Sequence, residues 1–395
     1  MQKTLPNGWK WVKIGEVCET ITGGTPLKGK NEYFKNGTIP WLRSSELTQG
    51  AIYKSELFIT ELGLKNSSAK ILPQNSVLVA MYGATAGQVG ILRFESAINQ
   101  AICGILPNKT FMPEFLYWFL SAKTKELKLL CAGGAQQNLS QTIIKNLKVI
   151  LPPLPTQHKI VEILKDADNL RKLRQQADEK MKDLIPSLFV QMFGDPAKNP
   201  KGWPVKKLGE LCHKPEYGLT ASAIEKKSDF QFLRITDIQN GMVDWEIVPF
   251  CDSSNVEIEK YKLHAGDIVI ARIGATTGKA FLFTQNCPDA VFASYLIRAR
   301  PKGELVPKYL YHYMNTNYYW VQINADKSSR LKQGINIPTL SSLSVPLSPL
   351  PLQQEFAKLV EDIEAWKARQ AESRKKLDEL FNSLMYRAFA GELVA

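Results

Sequence analysis

Two glycine-rich stretches, YGATAG at 82–87 and IGATTG at 273–278, are the first place to look for chemistry. A phosphate-binding loop of the GxxxxGK(S/T) kind puts four residues between its first glycine and the Gly-Lys pair, so that backbone N–H groups ring the phosphates. The stretch Gly274-Ala-Thr-Thr-Gly278-Lys279 has three and is followed by Ala280, while Gln88 stands where the first stretch would need its lysine. The spacing does not fit nucleotide hydrolysis. A turn closing a buried strand fits better, with glycine supplying backbone freedom and close approach. Thr85, Thr276 and Lys279 are then the residues placed to touch a DNA phosphate.

Other catalytic patterns are missing. The four histidines, His158, His213, His264 and His312, show no HExxH or other metal spacing, and are expected to be surface or internally satisfied side chains. Six scattered cysteines contain no CxxC pair, so neither a zinc site nor a disulfide framework is expected, and most should be core residues. No GxSxG elbow occurs. Asn199-Pro200 starts like a methyltransferase loop but continues Lys-Gly-Trp, with no FxGxG before it. No catalytic, cofactor-binding or metal residues are therefore assigned in this chain.

Nucleic-acid contact is better supported. Lys and Arg outnumber Asp and Glu by 50 to 38, a net charge of +12, which suits a polyanionic partner. Arg, Gln and Asn can read base edges bidentately, and Lys suits phosphates. The first group with such side chains is Lys327, Arg330, Lys332, Gln333 and Asn336, aligned with Gln136, Gln137 and Asn138 further up the chain. A second pair of stretches, Arg43-Ser-Ser-Glu46 and Arg234-Ile-Thr-Asp237, has two readings: DNA contact, or an internal pairing of each arginine with its carboxylate. If two parts of the chain read different sequences, readers should sit where those parts diverge. This points to Lys28, Lys30 and Lys35 against Lys226 and Lys227.

The elements that carry these residues are written twice. A shift of 191 lays Gly83 on Gly274 and Trp41-Leu42-Arg43 on Phe232-Leu233-Arg234. A shift of 194 matches GWKWVKIGEVC (8–18) with GWPVKKLGELC (202–212), and a shift of 196 matches LKVILPPLPTQ (147–157) with LSVPLSPLPLQ (343–353). Such long-period self-similarity sets the architecture. Each repeat begins with a mixed α/β globular part: buried strands such as SVLVAMYG and DIVIARIG, then helical stretches at 113–130 and 307–323, each with proline in its first turn. Each ends in one long helix after a proline-rich entry. The boundaries are 1–155 and 196–350 for the globular domains, 156–195 and 351–395 for the helices. The fold class is α+β, with the two helices expected to form an antiparallel coiled coil.

Three–four spacing places Ile160, Ile163, Leu170, Arg174, Met181, Leu184 and Leu188 on the seam of the first helix. Phe356, Leu359, Ile363, Trp366, Gln370, Leu377, Leu380 and Leu384 take the seam of the second. Pro186 should kink the last turns of the first helix. Arg174 and Gln370, equivalent positions near the midpoints, either meet across the seam and fix its register or extend to solvent. Residues 156–193 carry seven basic and six acidic groups and 352–389 seven of each, so the helices contribute +1 and the other +11 lies elsewhere. No run of 18 apolar residues exists and MQKTLPNGWKW lacks a signal-peptide core, so a cytoplasmic protein without membrane contact is expected.

Entry segments of GW…KLGE type, GAT turns and PLPxQ helices, in two copies, together resemble the DNA-specificity subunits of Type I restriction–modification systems. The segments are Trp9–Cys18, Leu151–Asp195, Trp203–Cys212 and Pro349–Leu393. The resemblance implies a non-catalytic subunit whose two target-recognition domains each read half of a split double-stranded DNA site. It also implies helices that dock two adenine methyltransferase subunits, with restriction–translocation subunits joining; S-adenosylmethionine, ATP and magnesium would belong to those partners. Competing classes are the recognition subunit of a fused, ATP-independent restriction–modification enzyme, a self-contained methylating or restricting enzyme, and a tandem-module RNA-binding or scaffold protein.

Overall fold

The computed structural model describes residues 5–132, 138–239, 241–252, 258–328 and 334–394. It divides into two compact units, Met1–Gln175 with Glu372–Ala395, and Gln176–Ala371.

The first unit is built on a five-stranded sheet. Its strands are β1 (Thr20–Thr22), β2 (Ala51–Ile52), β3 (Val77–Ala80), β4 (Val89–Leu92) and β5 (Ile102–Ile105), in the order β1-β5-β3-β4-β2. β3 and β4 form a hairpin, and β3 to β5 are buried throughout, as their continuous apolar runs require. The second unit repeats this plan with β6 (Glu216–Tyr217), β7 (Ile268–Ala271), β8 (Ala280–Leu282) and β9 (Leu296–Ala299), in the order β6-β9-β7-β8. Beside each sheet lies a second one containing a parallel pair: Ile39–Leu42 with Ser96–Ile98 in the first unit, Gln231–Leu233 with Ala290–Phe292 in the other. The duplication therefore extends to strand order and direction.

Helix α1 (Pro113–Ala122) and its counterpart α4 (Pro307–Tyr313) both start on proline, whose missing N–H costs nothing at a first turn. The helical stretches seen in the sequence are each broken in two, with new helices at Thr124–Ala132 and Asn317–Ser328. Of the long helices, α2 covers Leu154–Lys182 and α3 Leu184–Phe193, whereas α5 runs unbroken over Leu350–Ala390. The expected kink at Pro186 is a break placed earlier. A proline ring clashes with the carbonyl four residues back, here Lys182, which is where α2 stops.

Within the first unit the start of α2 packs against the end of α5, so the two run antiparallel. Ile160, Leu164 and Ala167 share a core with Phe381, Met385 and Ala388. Phe389 meets the rings of Phe115 and Phe119 edge-on at 5.6 and 5.3 Å. Arg171 lies 4.4 Å over the Phe381 ring and pairs with Asp378 at 2.7 Å. In the second unit α3 packs on the start of α5, where Phe189 and Phe193 meet Phe356 edge-on at 5.5 and 5.2 Å.

The seam differs from the heptad reading. Ile160, Phe356 and Ile363 are buried, and Ile163, Met181, Leu188, Leu377 and Leu384 are partly so. Leu170, Leu184, Leu359, Trp366 and Leu380 are instead exposed, and Leu164, Ala167, Val360, Phe381, Met385 and Ala388 take the inner face. Each helix packs against its own globular part as well as the other helix, which turns the buried stripe away from a two-helix seam. Arg174 and Gln370 are both partly buried, and Nε of one and Oε1 of the other are covered with no partner among the described residues.

One buried side chain explains the glutamine of the PLPxQ entry. Gln157 is fully buried; its Oε1 accepts from the Met112 N–H at 2.8 Å, and its Nε2 donates to the carbonyls of Thr110 and Pro152 at 3.1 and 2.9 Å. Gln353 does the same to Val306, Glu304 and Ser348 at 2.8, 3.2 and 2.7 Å. In both units this amide ties the first turn of a long helix to the first turn of α1 or α4.

Candidate nucleic-acid interface

The sheet hairpins place the GAT turns at one edge of each unit. Residues 82–87 join β3 to β4, and residues 273–278 join β7 to β8, with Gly83, Gly87, Gly274 and Gly278 all at positive φ. Thr85 and Thr276 sit on these turns, partly exposed, and Lys279 follows the second.

The structure brings each turn beside the described residues that follow the stretch singled out separately in the sequence, Gly334 and Ile335 in one unit and Leu139 in the other. Ile335 N–H donates to the Arg272 carbonyl at 2.8 Å and Ile273 bridges to Gly334; in the first unit Leu139 N–H donates to the Met81 carbonyl at 2.7 Å. Asn138 is exposed beside this junction. Gln136, Gln137, Arg330, Lys332 and Gln333 lie outside the described residues, as does the side chain of Lys327. Asn336 also serves the fold: its side-chain oxygen accepts the Thr339 N–H at 2.9 Å and caps helix 337–342.

The divergent segments leave from the same edge. Gly23 and Gly218 follow β1 and β6, and a Cβ at either would collide with the carbonyl of Ile98 or of Phe292, which accounts for glycine in both copies. Beyond them Lys28, Lys35, Lys226 and Lys227 are exposed, and Lys30 lies 3.8 Å from Glu32 and 5.2 Å from the Tyr33 ring centroid.

The internal pairing of the two arginines holds in full only for the second. Arg234 binds Asp237 through Nη2 at 2.8 Å and Nε at 3.1 Å. Arg43 gives only its backbone N–H to buried Glu46 at 2.9 Å, and its guanidinium lies 3.5 Å from Glu56. Both couples close the turn that follows a core strand. The cysteine reading also fits the fold: Cys18, Cys103, Cys212 and Cys251 are buried, and burial pushes the Cys103 and Cys212 thiols up to about 12. Among the histidines, expected at the surface or internally satisfied, His312 is partly buried with Nε2 unpartnered among the described residues.

One cluster escaped the sequence reading. Arg272, the first residue after β7, lies over the Tyr217 ring with its guanidinium carbon 4.5 Å from the centroid, and Nη1 donates to the Ser294 carbonyl at 3.3 Å. Tyr295, 55% exposed, accepts the Arg272 N–H at 3.0 Å. The signal that could have found it is the contrast of Arg272 with Met81 at the same register.

A second surface lies on the helices. Several exposed apolar residues there form pairs related by the 196 shift: Leu170 with Trp366, Leu184 with Leu380, Val190 with Tyr386. Each unit also has an open groove at equivalent residues. That of the first unit, about 900 Å³, is lined by Trp118, Lys123, Met385 and Tyr386; that of the second, about 420 Å³, by His312, Asn317, Phe189 and Val190.

Two units of one topology on a basic chain, the second turn edged by Arg272, Lys279 and Tyr295, suit a tandem module for a polyanion such as DNA. The family is settled by comparison: residues 6–182 and 200–379 match the Type I restriction modification DNA specificity domain, and the chain belongs to that family. It is 26% identical to the Type I restriction enzyme MjaIX specificity subunit of Methanocaldococcus jannaschii, over 91% of this chain and 87% of that one. It is 24% identical to the EcoKI specificity subunit of Escherichia coli, over 99% and 90%. Among solved structures, a chain from work on assembly and conformational transition of the type I R-M system superposes with a TM-score of 0.66 at 21% identity, covering 99% of this chain and 100% of that one. The S subunit from M. genitalium gives 0.58 at 15%, covering 98% of each. The chain is thus a specificity subunit that recognises a DNA target, with catalysis carried by other subunits. No helix among the described residues is long and apolar enough to cross a membrane.

Proposed function

We propose that this specificity subunit reads a bipartite duplex site, one half per unit, and carries two copies of a methyltransferase subunit on its helices, with a restriction–translocation subunit joining that assembly. The observation that carries the reading is the duplicated edge: in both units the GAT turn, the strand junction after it and the divergent lysine-bearing segment leave one end of the same sheet. A common frame with different side chains is what two readers of different sequences need.

Docking of two like partners is supported by the paired exposed residues and the paired grooves, since a site present twice takes the same partner twice. The spacer role is supported by helix length: α5, with 41 residues, spans about 60 Å at about 1.5 Å per residue, against about 34 Å for one turn of B-DNA. The four-part division at 155, 195 and 350 follows from this reading, with recognition assigned to the globular parts and docking to the helices.

The test is sequencing of methylated adenines in a host expressing this chain with its partner subunits. Two short constant blocks separated by a fixed number of unspecified base pairs are expected. A single uninterrupted block overturns the reading.

A further inference from the structure

We propose that Arg272 is the residue through which the second unit reads a guanine, and so fixes one base pair of the recognised sequence. The inference rests on the reading above, in which that unit addresses its own half-site.

Arg272 is held before any DNA arrives. Its planar cation is stacked on Tyr217 at 4.5 Å and anchored at one corner by the 3.3 Å bond from Nη1 to the Ser294 carbonyl. A guanidinium fixed on one face and one corner has little rotamer freedom left to lose on binding.

Its remaining donors are unspent. Nε is buried, and neither it nor Nη2 makes a bond to a described residue. Each terminal nitrogen carries two hydrogens, so Nη1 keeps one in addition to the one given to Ser294. The end-on fork of Nη1 and Nη2 matches the O6 and N7 acceptors of guanine in the major groove.

Structural arginines in the same unit behave differently. Arg298 gives Nη1 to the Lys262 carbonyl at 2.8 Å and Nη2 to Glu216 and to the Lys260 carbonyl at 3.3 Å. Arg300 closes bidentately on buried Asp267 at 2.6 and 2.8 Å. Both satisfy the fold with their forks; Arg272 does not.

The duplication supplies the control. The same backbone frame exists in the first unit, where Met81 N–H donates to the Ala101 carbonyl at 2.8 Å as Arg272 N–H does to Tyr295 at 3.0 Å. The side chains on that frame are Thr22, Met81 and Ala101 against Tyr217, Arg272 and Tyr295. The frame needs no arginine, and only one unit has one. Arg272 also borders the 273–278 turn and the junction at Gly334, so it lies within the edge assigned to DNA.

The experiment uses the full chain with its methyltransferase partners and maps methylated sites for the wild type, Arg272→Met and Arg272→Lys. The wild-type map should contain a G·C pair in one half-site that Arg272→Met no longer demands. Discrimination there should fall about 5- to 150-fold, the range of one bidentate contact, while the other half-site and the spacing stay unchanged. Arg272→Lys keeps a cation over Tyr217 and carries the test should the methionine variant fail to fold. It should weaken selectivity at the same position and leave binding to unrelated duplex unchanged. An unaltered map for both variants, a uniform loss of affinity on every sequence (a phosphate contact), or a wild-type site without G·C in either half would overturn the proposal. Failure of the underlying reading shows separately, in a wild-type map lacking two blocks.

Discussion

His312 illustrates what a single position can do once a chain is duplicated. Its counterpart is Trp118, which packs edge-on against Phe381 at 5.4 Å; His312 meets Phe356 in the same manner at 5.5 Å but is ionisable. Burial, then the charges of Lys308 and Lys367, hold its pKa down to about 4. The unfolded chain therefore binds a proton below about 6.5 that the folded chain refuses. Stability should be level above that pH, fall as the pH drops toward about 4, and lose up to about 3 kcal/mol over the window. Thermal melts of the wild type and His312→Phe between neutral and acidic pH check this; the variant should lose the part of the acid sensitivity that His312 supplies. At this scale the sequence was least legible. The cap that Asn336 forms was not seen, and Arg272 drew no attention because only the register of β7 beside β9 shows that it sits on Tyr217.

At the scale of elements the sequence reads well where a local rule decides and poorly where packing does. Proline at a first turn marks α1 and α4, and Pro186 foretells an interruption whose position, at Lys182, follows from the clash four residues back. The buried stripe of the long helices was misplaced by a residue or so because a heptad rule sees one partner and these helices have two. Gln157 and Gln353 give the sharpest test here. Changing either to Leu strips one N–H and two carbonyls of their partner, one carbonyl of each set buried, and should cost about 1–3 kcal/mol, read as a lower denaturant midpoint. Replacing Arg174 and Gln370 together by Leu should leave stability unchanged or raise it by about 1–3 kcal/mol, because a covered Nε and Oε1 that bond no described residue are removed.

For the whole molecule the testable quantities are spacing and stoichiometry. Inserting about one helical turn at matching points of α2 and α5 should lengthen the unspecified gap in the methylated site and leave both constant blocks intact. Changed blocks at the old spacing would count against the helices as spacers. Leu170→Asp and Trp366→Asp, on exposed and duplication-related positions, should leave the melting temperature within about 2 °C while each removes one copy of the methyltransferase partner from the complex, as measured by native mass. Loss of both copies from either single change would mean that the sites are not independent.

The amino-acid sequence alone determined that the chain is a duplicated α+β unit with a long helix after each globular part, because repeats, periodicity and prolines are local or self-referential signals. It also marked the GAT turns, whose glycines record backbone demands. Only the tertiary structure decided which side chains share an edge, which face of each helix is inside, and which arginine keeps free donors. Those outcomes depend on strand pairing and on contacts between residues far apart in the chain, and a side chain's donors can be counted only when every neighbour competing for them is in place.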